Sequence, residues 1–162
     1  MKKILTAIFV VMLVFSGCSP IQDGLGGMSA VLGVDLSSAQ IKKQLDDHGG
    51  FHGDGSSYWE LSFSAEEGAA LEKSIRQTEG WRALPVSEEG EILLYGNDGV
   101  GPYLKWKEQG MFPKVETGYW FFCDRQTGSY ETTDVASRGA YNFTAALYDS
   151  QTYTLYYGEL DT

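Results

Sequence analysis

The sequence predicts an α+β fold: an antiparallel sheet of about four to five strands, with one main helix packed on a face. Residues 57–63 alternate Trp59, Leu61 and Phe63 with tyrosine or polar neighbours, which is the period of a half-buried strand. A helical pattern begins at residue 64, and most of the later apolar segments alternate as strands do. One strand, one helix and several further strands in this order favour an α+β sheet.

The main helix is predicted from its first turn. Ser64 and Glu67 form a capping-box pattern, in which each side chain accepts a hydrogen bond from the other residue's backbone amide. Leu71 and Ile75 fall on one face of such a helix, and Gly80 is expected to end it.

The segments around this unit are less regular. Residues 36–45 are expected to form a short helix, because two apolar side chains stand four residues apart. Residues 91–95 are a candidate strand, and residues 97–99 are a turn. Residues 100–106 form its return strand or a loop, since Pro102 restricts them to an edge.

The strongest predicted strand covers residues 118–124. Large apolar side chains fall on both of its faces, so we expect a central strand that is covered on both sides. A polar loop of residues 127–140 follows, and residues 141–148 and 153–160 then form the best hairpin.

The hairpin carries a candidate binding face. A tyrosine ring offers rigid apolar area with a polar tip, which suits sugars and protein partners. The candidates are Tyr148, Tyr153, Tyr156 and Tyr157. The alternative is that these aromatics simply fill strands, which favour them.

The side chains expected to share one face of the hairpin are Tyr141, Phe143, Ala145 and Leu147 with Tyr153, Leu155 and Tyr157. The element order is also similar to that of a cystatin-like fold, in which a sheet curls around a helix.

Composition excludes several classes of protein. The chain has 162 residues, with 22 acidic and 12 basic side chains and a formal charge of −10. Without a basic stripe to neutralise phosphates, we expect no nucleic acid partner. Two cysteines exclude a disulfide-rich scaffold, and the many aromatic side chains argue against disorder.

The N-terminus carries the most specific motif. Lys2 and Lys3 precede residues 4–15, an apolar run that is too short to cross a membrane and fits a secretory signal. The following segment, residues 15–18 with the sequence Phe-Ser-Gly-Cys, resembles the lipobox of bacterial lipoproteins. The resemblance implies that Cys18 receives a diacylglyceryl group and becomes the first mature residue. It also implies a lipid-anchored protein at the extracytoplasmic face of the bacterial cell membrane.

The predicted organisation has three parts. Residues 1–17 are the lipoprotein signal peptide, residues 18–34 are a flexible, glycine-rich tether, and residues 35–162 are a single α+β domain. Residues 28–32 are mildly apolar and are alternatively expected to dock on the domain. Loss of two lysines with the signal peptide takes the formal charge from −10 to −12, so acyl chains rather than charge must hold the protein at an anionic membrane.

A loop rich in His, Asp and Gly is the candidate site for chemistry. His48, His52 and Asp54 are ligand types that Zn²⁺ accepts, which makes them a candidate metal site and suggests a metal-dependent hydrolase as the alternative function. The competing interpretation is a tight turn, in which glycines supply positive φ and Asp and His bind the backbone. A ligand-contacting loop is a third possibility.

The remaining reactive side chains favour structural roles. Cys123 lies among aromatic residues, so we expect a buried, inert thiol rather than a nucleophile that uses His48 or His52 as its base. The acidic groups at residues 66–67 and 88–91 are expected to be solvated faces rather than the paired carboxylates of a glycosidase.

The function predicted from the sequence is therefore a non-catalytic binding or interaction domain rather than an enzyme, without a cofactor. Its expected partners are the membrane, through the lipid, and a protein, glycan or small ligand. Three segments, residues 48–55, 118–124 and 142–162, also resemble small uncharacterised lipoproteins of Gram-positive bacteria, and this resemblance implies no activity.

Overall fold

The main sheet has six antiparallel strands, and helices pack on both of its faces. The computed structural model describes residues 24–49, 53–106 and 109–162. The sheet order is β1-β2-β8-β7-β6-β3, and β4 and β5 pair separately. The strands are β1 (Gln40–Asp46), β2 (Gly55–Ser62), β3 (Trp81–Ala83), β4 (Lys105–Trp106), β5 (Gln109–Gly110), β6 (Gly118–Asp124), β7 (Asn142–Asp149) and β8 (Thr154–Asp161). The described helices are α1 (Leu25–Leu32), α2 (Ala65–Ile75) and α3 (Glu88–Tyr95), with a 3₁₀ turn at Val135–Ser137.

The α+β class is confirmed, but the predicted numbers of strands and helices are wrong. The sheet has six strands rather than four to five, and the described residues form three α-helices rather than one main helix. The two edge strands escaped prediction for different reasons. Strand β1 buries no side chain fully and so lacks an alternating pattern, and β3 has only three residues.

The predicted helix cap is confirmed. The Ser64 amide donates to Glu67 Oε2 at 2.9 Å, and the Glu67 amide donates to Ser64 Oγ at 3.3 Å. Helix α2 ends at Ile75, earlier than expected, and Gly80 lies beyond it with φ of 86°.

Two predicted elements are of the wrong type. Residues 36–45 were expected to be helical, but residues from Gln40 onward form β1, where Ile41 is 48% exposed rather than part of a buried helical face. Residues 91–95 were expected to be a strand, but they belong to α3, whose N-cap Ser87 accepts a hydrogen bond from the Gly90 amide at 3.1 Å. A four-residue apolar run fits either element, and the cap decides between them.

The segment expected to be a tether is partly built into the domain. Residues 25–32 form α1, and Met28 and Leu32, four residues apart on one face, are buried in the core. Trp81 Nε1 donates to the Leu32 carbonyl at 3.0 Å. The prediction that residues 18–34 form a flexible tether is therefore wrong from Gly24 onward, because one apolar stripe outweighs the glycines.

Two cores lie on opposite faces of the sheet. Helices α1 and α2 cover the first face, where Leu61, Phe121 and Leu155 are buried. Helix α3 and the segment that follows it cover the second face, where Phe122 and Phe143 are buried. The prediction that β6 is covered on both sides is confirmed.

The hairpin of β7 and β8 is confirmed, but the predicted sharing of a face is wrong. Phe143 pairs with Leu160, whereas Leu155 pairs with Tyr148 on the opposite face. A change of one residue in register moves every side chain to the other face, and the connection, with Tyr153 at φ of 53°, sets that register.

The two edges of the sheet differ in length. Strand β1 has an extra residue, Lys42, because Ile41 pairs with Leu61 and Lys43 with Glu60. The Lys43 ammonium lies 5.5 Å from the ring centre of Tyr58 on β2. The other edge is the short β3.

Candidate functional site

His48 lies at the end of the sheet between two carboxylates. Its Nδ1 is 2.7 Å from Asp46 Oδ1, and its Nε2 is 3.1 Å from Asp161 Oδ2. Asp46 ends β1 and Asp161 ends β8, so two strands that are not neighbours place their carboxylates on one ring. Both ring nitrogens donate only when the imidazole is charged, so this geometry favours the imidazolium.

The electrostatics agree with the geometry. Burial opposes the charged form of His48, but the hydrogen bonds and charges of Asp46 and Asp161 outweigh it and raise the pKa of His48. The pKa of Asp46 is lowered chiefly by the hydrogen bond from the His48 amide at 2.9 Å. The ring thus ties the end of β1 to the last strand.

This pair of contacts predicts how stability depends on pH. A raised pKa in the folded state gives stability that is complete below the ordinary histidine pKa of about 6.5 and is lost as pH rises through the raised value. We expect the free energy of unfolding to decrease across this interval, and the decrease to be smaller in a His48→Gln protein. Urea denaturation over a pH series measures it, with the His48 titration followed by NMR. A His48 pKa at or below that of a free histidine would contradict the prediction.

Arg125 extends this cluster across the same face of the sheet. Its Nη2 donates to Asp161 Oδ1 at 2.7 Å and to the Leu160 carbonyl at 2.9 Å, and its Nη1 lies 3.3 Å from Glu159 Oε1. Glu159 also accepts from the hydroxyl groups of Thr144, at 3.2 Å, and Tyr157. The carboxylates of Glu159 and Asp161 are thus paired with other side chains of the domain, which indicates a structural role.

The predicted metal site is only partly within the described residues. His52 lies outside them, and Asp54 is exposed. Among the residues that the structure describes, no group of three or more His, Cys, Asp or Glu side chains is arranged to hold a metal ion. A metal also needs a neutral imidazole nitrogen, whereas both nitrogens of His48 face carboxylates. The site at His48, His52 and Asp54 stays a prediction without support from this geometry.

Cys123 is half-buried on β6 and is a free thiol. Burial and the charge of Asp124 raise the pKa of Cys123, although Arg125 partly opposes them. A raised pKa leaves little thiolate at neutral pH, so the predicted inert character agrees with its surroundings.

The four tyrosines predicted to form a binding face are divided between the two faces of the sheet. Tyr148 and Tyr157 are buried in the first core, with exposed fractions of 0% and 2%. The Tyr148 hydroxyl donates to the Gly68 carbonyl of α2 at 2.7 Å, which fixes it as a structural contact. Tyr153 and Tyr156 are half-buried and pack against opposite cores. These residues do not come together as one exposed face.

The predicted solvated acids lie in helical first turns. Glu66 and Glu67 begin α2, and Glu88, Glu89 and Glu91 begin α3. Negative charge at these positions stabilises the helix because it meets the positive end of the helix dipole. Stabilisation of the helices therefore explains these acidic residues, and no catalytic role is needed to account for them.

An open groove at the same end of the sheet is the site that the sequence pattern did not indicate. It has a volume of about 570 Å³ and lies where the end of β8 meets residues 99–105. Tyr103 and Tyr141 line it, with ring centres 4.7 Å apart and planes inclined by 55°. Lys105 and Thr162 add polar groups to its wall, and Val100, 48% exposed, adds an apolar one.

The fold holds these rings in place. The Tyr103 amide donates to the Leu93 carbonyl of α3 at 2.9 Å, and its hydroxyl donates to the Ala136 carbonyl at 3.3 Å. The Tyr141 amide donates to Thr162 Oγ1 at 2.7 Å. The groove is thus a preformed aromatic wall rather than a loose surface.

Comparisons with known proteins do not assign a family. No family model matches the chain, and neither curated proteins nor solved structures give a match. The cystatin-like arrangement therefore stays a prediction. Cys18 lies outside the described residues, and no helix in the described part of the chain is long and apolar enough to span a membrane.

Proposed function

We propose that this chain is a lipoprotein, anchored through Cys18 at the extracytoplasmic face of a bacterial cell membrane, whose domain binds a glycan without catalysing a reaction. The observation that carries the anchor is the N-terminal order of Lys2 and Lys3, a short apolar run and Cys18 after two small residues. Two acyl chains on the mature N-terminus suffice for stable attachment.

The shape and chemistry of the groove support a glycan. An apolar small ligand needs most of its surface enclosed, and an open groove does not enclose it. A sugar can pack its apolar face on Tyr103 or Tyr141 and keep its hydroxyl groups in water. Lys105 and Thr162 also line the groove beside the rings.

The surroundings of the reactive groups support a non-catalytic domain. His48 lies between two carboxylates that favour its imidazolium form, and the pKa of the Cys123 thiol is raised. Neither group is set up as a base or a nucleophile, which requires a neutral imidazole or an activated thiolate.

A Cys18→Ser protein is expected to leave the membrane fraction almost completely. Removing the sulfur removes the acyl attachment, and a domain with a formal charge of −12 has no affinity for an anionic surface. Fractionation of bacterial cells measures the effect. Cys123→Ser, at the other cysteine, is the matched control and is expected to stay membrane-bound. Retention in the membrane of Cys18→Ser protein that has lost residues 1–17 would refute the anchor.

A Tyr141→Ala protein is expected to bind its glycan about tenfold more weakly, since a stacking side chain contributes on the order of 1.4 kcal/mol. Calorimetry with purified protein against a panel of envelope glycans measures it. Tyr119→Ala is the matched control, because Tyr119 pairs with Tyr148 at the opposite end of β6 and β7. If the Tyr141→Ala protein binds with the same affinity as the unmodified protein, the groove is not the binding site. If the unmodified protein binds no glycan of the panel, the proposed class of ligand is wrong.

A further inference from the structure

We infer that the domain is held directly against the membrane surface, with the N-terminal end of α1 on its membrane-proximal side. The inference rests on the proposed lipidation of Cys18. Gly24 is the N-cap of α1, so residues 19–23 alone separate it from the lipidated cysteine. Even fully extended, such a link spans at most about 22 Å.

Helix α1 is fixed to the domain and does not lengthen the link. Met28 and Leu32 are 4% and 0% exposed, and the Leu32 carbonyl accepts from Trp81 Nε1 at 3.0 Å. The Leu36 amide donates to Ser29 Oγ at 3.1 Å, which ties the helix to the chain that follows it. Detaching α1 would expose both buried side chains, so Gly24 is a fixed point on the domain surface.

The length of the link decides the orientation. A domain of this size has a radius of gyration of about 14 Å and is roughly 37 Å across. Because the greatest span of residues 19–23 is shorter than this, the domain cannot turn the side opposite Gly24 toward the bilayer. A flexible tether over residues 18–34 would have allowed free rotation.

The charge distribution fits a membrane-proximal helix. Residues 24–34 contain no charged side chain, although the mature chain has a formal charge of −12. The exposed positions of α1 include Gly26 and Ala30, which are small. An uncharged helix approaches anionic headgroups without the repulsion that acidic side chains would meet. The side of the domain that carries the start of α1 therefore faces the lipid surface.

Energy transfer from two labelled positions tests the orientation. Full-length protein is matured in bacteria as Cys123→Ser, with a dye on Ala30→Cys in α1 or on Glu89→Cys in α3. Both positions are exposed, and α1 and α3 pack on opposite faces of the sheet. The proteins are placed in vesicles of phosphatidylcholine and phosphatidylglycerol that carry an acceptor lipid, and flotation is recorded for each.

We expect both proteins to float and the Ala30→Cys dye to transfer at least twice as efficiently as the Glu89→Cys dye. A fifteen-residue Gly/Ser insertion after Pro20 should leave flotation unchanged and remove most of this difference. Flotation with equal transfer, or stronger transfer from Glu89→Cys, would overturn the inference and leave the anchor intact. Failure to float would instead overturn the anchor, and the orientation with it.

Discussion

A Gly118→Ala protein is expected to lose about 3–5 kcal/mol of folding free energy, enough to unfold many domains of this size. Gly118 begins β6 with φ of 145°, a conformation that costs other residues about 1–3 kcal/mol. A Cβ there would lie 1.8 Å from the Tyr148 carbonyl oxygen and 3.2 Å from the Ser150 amide nitrogen. These atoms belong to the backbone of the hairpin, so they cannot move without breaking the ladder between β6 and β7.

Urea denaturation monitored by tryptophan fluorescence measures this loss. Gly139→Ala is the matched control, because a Cβ at Gly139 meets no atom within 4 Å, and its change is expected to stay within about 0.5 kcal/mol. A Gly118→Ala protein with an unchanged midpoint would show that β6 and β7 do not meet in this register.

A Leu32→Ala protein is expected to lose about 2–5 kcal/mol, the usual cost of removing a fully buried leucine. Leu32 is 0% exposed and packs in the core between α1 and the sheet. The same substitution in a flexible tether would have almost no effect on stability. The result therefore separates a helix that belongs to the domain from a spacer.

The control for Leu32→Ala lies on the same helix. Ala30 is exposed, so Ala30→Ser should change the midpoint of denaturation by less than about 0.5 kcal/mol. Equal, small effects of the two substitutions would mean that α1 does not pack on the sheet in solution.

Elements with a long, clear period were predictable from the sequence. Strand β2, helix α2 and the hairpin of β7 and β8 each combine such a period with a cap or turn. Short elements were not. The run at residues 91–95 fits a strand as well as a helix, and α1 carries its apolar stripe among glycines. In both cases the local sequence allows more than one secondary structure, and packing against the sheet decides which one forms.

The candidate sites were less predictable than the fold. His48 was recognised as a candidate, but its partner Asp161 is 113 residues away, and no local pattern connects them. The groove joins Tyr103 to Tyr141 and to the end of β8. These three parts belong to separate segments of the chain. They come together only through the order of the strands in the sheet, which the local sequence does not reveal. The turn at residues 97–99 was the one local signal near it.

The two edges of the sheet bear on how copies of this protein behave beside one another. Lipid-anchored molecules share a two-dimensional surface, where they collide at high effective concentration and an open sheet edge would invite strand addition between copies. The extra residue at Lys42 and the neighbouring Lys43 interrupt one edge, while β3 offers only three residues at the other. At the proposed membrane location, both edges of the sheet would therefore resist strand addition between crowded copies.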